Sequence, residues 1–586
     1  MGGIAGIMTG GGEAPEAQAL HAMSSALAHR GPDSAGEYGS GNVAMVTRLL
    51  AIGDPAAGDQ PVTEPGGATL VANGKIYNTD ELRQNLAGAD FSTACDFEPA
   101  LHLYRKTGAG FARQLRGMYA IAIHDPGTGR LLLARDPFGI KPLYYVENSD
   151  GFAFASEPRA LIASGLVSPR INTASRNEML QLQFSTGPET VFQEIRRVLP
   201  GETLVVAHGR IVERERIRAL PAGGPQDWPQ ETVMENLDRA LLDSIAVHQK
   251  AAVPSGMFLT GAVESTVLLT LMARLSDQPV LALTAVFDEK GAAADLDYAR
   301  AVARAVGARH VEVEVYESDF WRYLPQIAAA MDDPAADYGA FRTYMLARAA
   351  GREVKVVFCG EGGDEIFAGY GRYRSVIRPW WRGGRTIRSK GIFDGLGVLR
   401  THFAGWRDGI AGAEATESTP GRTELQIAQA IDCADWLPND PLAALDRCLA
   451  AHGIEGRTPF LDAAVTDIAF RLADGFKVHR GLGKWQLRKW LADRLPLAEP
   501  MSRRRSFAIP VTAWIARQGT GLGPLVAASP AVQEICDPGA VAKLFRHGGK
   551  RQSFAAWVLL FYALWHRANI EGRKPEGDVF DCLAAK

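Results

Sequence analysis

From about residue 228 onward, short wholly apolar runs alternate with longer stretches whose apolar residues recur every three or four positions. That spacing predicts helices over 231–248, 264–275, 295–306 and 339–350, and strands over 257–259, 280–286, 310–315 and 354–358. Strands alternating with helices imply a doubly wound parallel sheet. Beyond 420 the pattern is mostly helical. The first 218 residues read differently. Apolar runs at 44–46, 69–72, 119–124, 131–134 and 151–155 are divided by Gly, Pro and Asp turns, which predicts a strand-rich layered domain. Between the two patterns, ALPAGGPQD at 219–227 is rich in Pro and Gly and reads as a linker. The expected organisation is a domain at 1–218, a linker at 219–227 and a second domain at 228–586.

Length agrees with this division, since 586 residues exceed what one core supports. A net charge of −3 gives no global case for nucleic acid or membrane binding. Six cysteines lie scattered without metal-ligand spacing, which argues against a zinc site or a disulfide framework. No apolar run is long enough to span a bilayer, and MGGIAGIMTGGG has neither a secretory nor a myristoylation pattern. A cytosolic (cytoplasmic) location is expected.

Candidate chemistry gathers at two strand ends. In MFLTGAVESTVLL (257–269), an apolar run breaks at Thr260, Gly261 and Ala262 and resumes after Glu264, Ser265 and Thr266. A strand, tight turn and helix start of this kind offers free N–H groups to a phosphate, with an acidic side chain for its metal. Taken alone, the stretch is equally an ordinary turn of an α/β domain. About a hundred residues later, VKVVF (354–358) runs into CGEGGDE (359–365), three glycines and three carboxylates after a second strand. Ligands in open parallel sheets bind outside the carboxyl ends of strands, so both turns can face one site. Together they resemble the two ATP-handling motifs of the asparagine synthetase family, usually SGG-x-DSS and SG-x-G-x-DE.

The resemblance extends along the chain through DDPAADYGA (332–340), AIDCADWLPND (430–440), LDRCLAAHGIEGRTPFLD (445–462), GKWQLRKW (483–490) and RRRSFAIPVTAW (503–514). In the first domain, HRGPDSAG (29–36), RLLAIGD (48–54), GDQPV (58–62), NGKIYN (73–78), GMYAIAIHD (117–125) and ARDPFGIKPLYY (134–145) resemble the glutaminase domain of class II amidotransferases. The implied folds are a layered Ntn-hydrolase-like αββα domain and an α/β ATP pyrophosphatase domain. The implied reaction is attack of a substrate carboxylate on the α-phosphorus of Mg-ATP, followed by capture of the acyl adenylate by an amine. Carried over by motif, Leu259, Val286, Cys359 and Gly360 would line the nucleotide site, while Thr260, Gly261, Ser265 and Thr266 would cradle pyrophosphate. Glu264 and Asp364 would hold Mg²⁺, Glu361 would be the base for the amine, and Lys484 would neutralise phosphate charge.

Departures from the family pattern point further. Gly2 replaces the nucleophilic cysteine, and Lys75 replaces the glutamate that meets the α-ammonium of glutamine. Asn73, Gly74, Arg48 and Asp96 match the rest of that pocket, although packing and local ion pairing explain a retained Arg48 and Asp96 equally well. In the synthetase motifs Thr260, Ala262, Glu264 and Ala444 are substitutions, while GEGGDE is intact. An impaired glutaminase beside an adenylating site is the design of β-lactam synthetases and lasso peptide macrolactam cyclases, which join a side-chain carboxylate to an amine of the same molecule. Nine Lys/Arg and one Asp between Arg372 and Arg407, interleaved with Trp380, Trp381, Phe403 and Trp406, suit a peptide or protein partner such as a precursor peptide or leader peptidase; nucleic acid and, more commonly for a charge run, a solvated face are the alternatives. The expectation is an intramolecular amide ligase. Amidation with free ammonia and a non-catalytic scaffold are the alternatives.

Overall fold

In the N-terminal half, apolar residues fall on both inner faces of two antiparallel sheets, so the strands sandwich a dry layer. The computed structural model describes residues 2–52, 60–250, 253–288, 292–502, 509–546 and 548–585; the landmarks at 48–54, 58–62 and 503–514 lie partly outside this set. The first sheet runs Arg196–Arg197, Tyr144–Asn148, Gly151–Ala155, Gly2–Thr9, Val43–Leu49, Ser34–Ser40. The second runs Arg210–Arg216, Glu202–Ala207, Arg130–Arg135, Gly117–Asp125, Thr69–Ile76, Val62–Thr63. Ile4, Met45, Val71, Ala122, Leu133 and Phe154 fill the space between them. The helix Ala17–Ala26 covers the outer face of the first sheet and Glu98–Thr107 that of the second. The result is the four-layered αββα arrangement.

The C-terminal half is built on five parallel strands in the order Arg309–Val315, Leu281–Phe287, Ser255–Phe258, Val356–Phe358, Glu455–Arg457. Helices Gln230–Gln249 and Val263–Arg274 pack on one face. Glu317–Ala330, Gly339–Ala350, Val511–Ala528 and Lys550–Asn569 pack on the other. In this half each expected strand and helix is present within three residues of its predicted limits. Among the additional elements, two run against their local sequence pattern. Glu317–Ala330 is helical through Pro325, a residue that ordinarily argues against helix. Glu455–Arg457 is a strand without apolar pattern, its buried charges satisfied by an Arg457 Nε–Glu455 Oε1 pair at 2.8 Å. Residues 219–227 lie against the second half, with the Gln226 N–H donating to Arg471 O at 2.8 Å.

A buried ionic seam joins the halves. Arg30 donates to Glu157 at 2.7 Å and, through both terminal nitrogens, to Asp446 at 2.7 and 2.9 Å. Arg447 bonds Asp332 at 2.9 Å, and Asp332 accepts the Arg159 N–H at 3.0 Å. Arg197 grips Asp333 at 2.7 and 2.9 Å, and Arg116 grips Asp462. Burial alone would raise the Glu157 carboxyl, but His29, Arg447, Arg159 and Arg30 together hold it well below the usual range. Removing one member leaves a buried charge unpaired, at a cost of about 3–5 kcal/mol. Arg30→Met is therefore expected to lower the denaturant midpoint of the whole chain; an unchanged midpoint would show that the seam carries no stability.

Candidate functional site

The strands Ser255–Phe258 and Val356–Phe358 are parallel neighbours at the centre of the sheet, so their carboxyl ends open side by side. The first leads through Leu259, whose N–H donates to Leu283 O, into the turn 260–262 and the helix Val263–Arg274. Gly261 takes φ +71°, a conformation that favours glycine. Ala262 does not need one: it sits in ordinary extended backbone at φ −78°. No side chain caps this helix. The nearby hydroxyls turn back, Ser265 and Thr266 each donating to Ala262 O at 3.0 Å, which leaves the first-turn N–H groups available to an anion. Ser265 Oγ also accepts the Thr260 N–H and hydroxyl, each at 3.2 Å, so the hydroxyl cluster is internally braced. Val286, half-buried on the adjacent strand Leu281–Phe287, stands beside this end.

The second strand enters CGEGGDE, and its glycines are spatial requirements. A β-carbon on Gly360 would lie 2.9 Å from Glu264 Cγ, and one on Gly363 would lie 3.0 Å from Glu264 Cβ. The two turns therefore touch through Glu264. Gly369 leaves room for Asp364 and Lys484 in the same way; a β-carbon there would overlap both side chains. Lys484 stands at φ +58° just before the helix Trp485–Arg494, its N–H donating to Phe367 O at 3.0 Å. Its ammonium lies 2.5 Å from Glu264 Oε2 and 2.9 Å from Asp364 Oδ1. The lysine is buried, not a surface residue of a helical segment.

Burial raises the Glu264 carboxyl, with Lys484 pulling it back down and Asp364 raising it. Burial likewise works against the Lys484 charge, but Asp364 and Glu264 outweigh it and hold the ammonium above its ordinary value. Burial pushes Glu361 up to about 7 against the opposing pull of Arg342, and Cys359 is raised well above the usual thiol range by burial and Glu361. Two hard carboxylates converging on one cation position suit magnesium, which takes one or two protein carboxylates and completes its shell with phosphate oxygens and water. Among the described residues no cluster of three or more His, Cys, Asp or Glu forms a metal cage.

Sequence reading overlooked several neighbours. Arg488, one turn beyond Lys484 in GKWQLRKW, feels both Glu264 and Asp364 and is recoverable from its i+4 spacing. Tyr298 shares its hydroxyl with Thr266 at 3.1 Å. Gln429 donates to Glu365 O and Ile366 O at 2.5 and 2.8 Å, fixing the short helix Gly363–Ile366 that carries Asp364. Gln429 is itself held by the buried Lys477 at 2.9 Å, whose pKa burial lowers to about 7. Nothing in the sequence signals these last two.

In the N-terminal half, Gly2 starts an interior strand of the first sheet so closely apposed to its partner that a β-carbon would overlap Arg48 O and sit 2.7 Å from Arg48 C. The Gly2 N–H donates to Asn73 Oδ1 at 3.0 Å. Gly74 beside it, at φ +131°, packs against Met118 O. Arg48 turns to the helix Ala17–Ala26, its Nε donating to Ser24 O and Oγ. Asp96 accepts the Ile76 N–H at 2.9 Å and pairs with Lys75 Nζ at 3.4 Å. The lysine thus supplies an ammonium to Asp96 from within the chain.

The basic stretch divides in two. Arg372 and Arg388 both pair with Asp432, at 2.6 and 3.3 Å, and stack on Trp436. Arg407 pairs with Glu414 and Arg400 donates to Gln533 O, while Phe403 and Trp406 are buried. Trp380 and Trp381 are 86% and 62% exposed.

Comparison with known proteins accords with this architecture. Residues 236–567 match the asparagine synthase family model and residues 1–216 the glutamine amidotransferase domain. The chain is 31% identical to a "putative asparagine synthetase" of the glutamine-hydrolysing kind from Mycobacterium bovis, over 95% of each chain. It is 28% identical to the glutamine-hydrolysing asparagine synthetase 1 of Bacillus subtilis, over 96% of this chain and 95% of that one. A solved glutamine phosphoribosylpyrophosphate amidotransferase from B. subtilis aligns with 53% of this chain and 65% of its own at 18% identity, with a TM-score of 0.29. On the family match and the near full-length relatives, this chain belongs to the asparagine synthase family.

Proposed function

We propose that the protein is an ATP-dependent carbon–nitrogen ligase that adenylates a side-chain carboxylate of a peptide and closes an amide with an amine of the same molecule. The observation that carries the reading is the meeting of Glu264, Asp364 and Lys484 at the ends of two adjacent parallel strands. In this reading Leu259, Val286, Cys359 and Gly360 line the nucleotide, and the first turn of Val263–Arg274, with Thr260, Gly261, Ser265 and Thr266, receives the pyrophosphate. Glu264 and Asp364 hold Mg²⁺, which would stabilise charge on the phosphates. Lys484 adds a fixed cation where negative charge develops, the largest common source of catalysis in such sites. The substrate carboxylate displaces pyrophosphate; the amine then attacks the acyl carbon, AMP leaves, and the amine proton passes to Glu361.

The choice of an internal amine rests on the N-terminal half. Gly2 has no side chain, its strand has no room for one, and Lys75 already occupies Asp96. Without ammonia from glutamine, an amine of the same molecule supplies high effective molarity, on the order of 10⁵ M or more in well-oriented cases. No helix among the described residues is long and apolar enough to cross a membrane.

Three outcomes test this. With ATP and a carboxylate peptide, product should be one water lighter, and AMP and pyrophosphate should form; Lys484→Ala should abolish product with the fold unchanged. Formation of free asparagine from aspartate and ammonium, or no ATP–pyrophosphate exchange with any carboxylate, would refute the reading. Glutamate release from glutamine should stay at the uncatalysed background, and Gly2→Cys should not restore it because the β-carbon displaces the Arg48 main chain. Finally, Glu361 serves as base only when ionised. With its pKa at about 7, the rate at saturation should rise through neutral pH and level off above it. Glu361→Gln should lose that acid limb; an unchanged pH profile would remove Glu361 from the role.

A further inference from the structure

The tip of the basic stretch carries features that the fold does not use. Between Gly371 and Lys390 the sequence has seven Lys/Arg and no acidic residue. Arg372 and Arg388 are consumed by Asp432, and Arg374 donates to Gly369 O at 3.1 Å. Arg378, Arg382, Arg385 and Lys390 form no ion pair among the described residues. Arg378, Arg382 and Arg385 share a turn with exposed Ile377, Pro379, Trp380 and Trp381, and the Arg382 guanidinium lies 4.5 Å from the Trp381 ring centre.

The exposure is built rather than left over. The tip closes on itself through Arg385 N–H to Ser375 O at 3.3 Å, Arg382 N–H to Pro379 O at 2.9 Å and Gly384 N–H to Pro379 O at 3.1 Å. Gly383 takes φ +82°, and a β-carbon on Gly384 would overlap Arg378 O. A turn with its main chain satisfied holds both indoles outward. At its base the Asp432 clamp fixes Arg372 and Arg388, within a π-helical turn at Asp432–Trp436. Exposed tryptophans beside unpaired arginines form the residue set that dominates binding hot spots.

We infer that this tip, centred on Arg378, Trp380, Trp381 and Arg382, docks an extended acidic peptide segment with apolar residues between its carboxylates. The inference rests on the peptide-ligase reading, in which the docked segment belongs to the substrate outside its reacting groups. Charge and position both favour that occupant. The unpaired Arg378, Arg382 and Arg385 attract carboxylates, and the indoles take the apolar residues between them. The helix Gly371–Val376 separates the tip from Gly369, against which Asp364 and Lys484 lie. Six helical residues span about 9 Å, which a few extended peptide residues at about 3.3 Å each cover. Nucleic acid fits less well. Its binding requires cations that track several phosphates, and the chain as a whole carries −3.

The test measures binding of a fluorescein-labelled peptide of Glu-Gly-Leu repeats by anisotropy, alongside Mg-ATP binding by calorimetry. Trp380→Ala with Trp381→Ala, and separately Arg378→Glu with Arg382→Glu, should each weaken the peptide by about tenfold or more and leave Mg-ATP affinity unchanged. The parent should bind a Lys-Gly-Leu analogue and single-stranded oligothymidine far more weakly, with added salt weakening the acidic peptide. The inference is overturned if the parent does not bind the acidic peptide, if either double variant binds it as tightly, or if oligothymidine or the basic analogue binds equally well. If the peptide binds at the tip but ATP–pyrophosphate exchange never occurs, the ligase reading fails and the docking surface stands. If exchange occurs and the peptide does not bind, the reverse holds.

Discussion

Arg30 is the residue on which the arrangement of the two halves depends. Its guanidinium donates to Gly2 O, to Glu157 and to Asp446, so the first strand of one sheet system is tied directly to the helix Pro441–Ala450 of the other. Asp446 also accepts from Arg447 Nη1 at 2.9 Å, and Arg447 Nε donates to Asp332, in the segment before the helix Gly339–Ala350, at 2.9 Å. Charges this deeply buried are tolerable only as a closed set, since each ion left alone carries a large desolvation cost. The first half is therefore tied structurally to the second: its Arg30, Arg197 and Arg116 neutralise Asp446, Asp333 and Asp462.

The same logic operates on a smaller scale at the strand ends. Glu264 and Asp364 reach one point from different turns, and Lys484 reaches it from a helix more than a hundred residues later. Their mutual attraction keeps a buried lysine charged and two nearby carboxylates compatible. The substitutions in the first turn are absorbed without strain. Ala262 stands in extended backbone, Thr260 keeps its hydroxyl in the Ser265 cluster, and the longer Glu264 fills the space that Gly360 and Gly363 leave open.

The basic stretch shows how one composition serves two purposes. Arg372, Arg388 and Arg407 are structural: the first two stack on aromatics and pair with Asp432, and the third pairs with Glu414. Among the described residues Arg378, Arg382 and Arg385 have no carboxylate partner, and they share a turn with the exposed indoles. A count of charges along the chain cannot separate these groups, because the partner carboxylates lie 7 to 60 residues away.

Local pattern was enough for the parallel sheet, its helices and the two turns, because period and turn chemistry are properties of neighbouring residues. The strand Glu455–Arg457 escaped it because its stability comes from a buried ion pair and its place at the sheet edge, not from apolar alternation. The helix Glu317–Ala330 escaped it because packing overrides the cost of Pro325. Motif likeness pointed to Glu264, Asp364, Glu361 and Lys484 as a set, and Gly2 and Lys75 were visible as departures. Only the tertiary structure decided that Lys484 meets both carboxylates, that Lys75 answers Asp96, that Gly2 has no space for a side chain, and that Gln429 and Lys477 brace the second turn. Each of these is a contact between residues distant in the chain, and such contacts are set by how the two sheet systems pack, which no local pattern encodes.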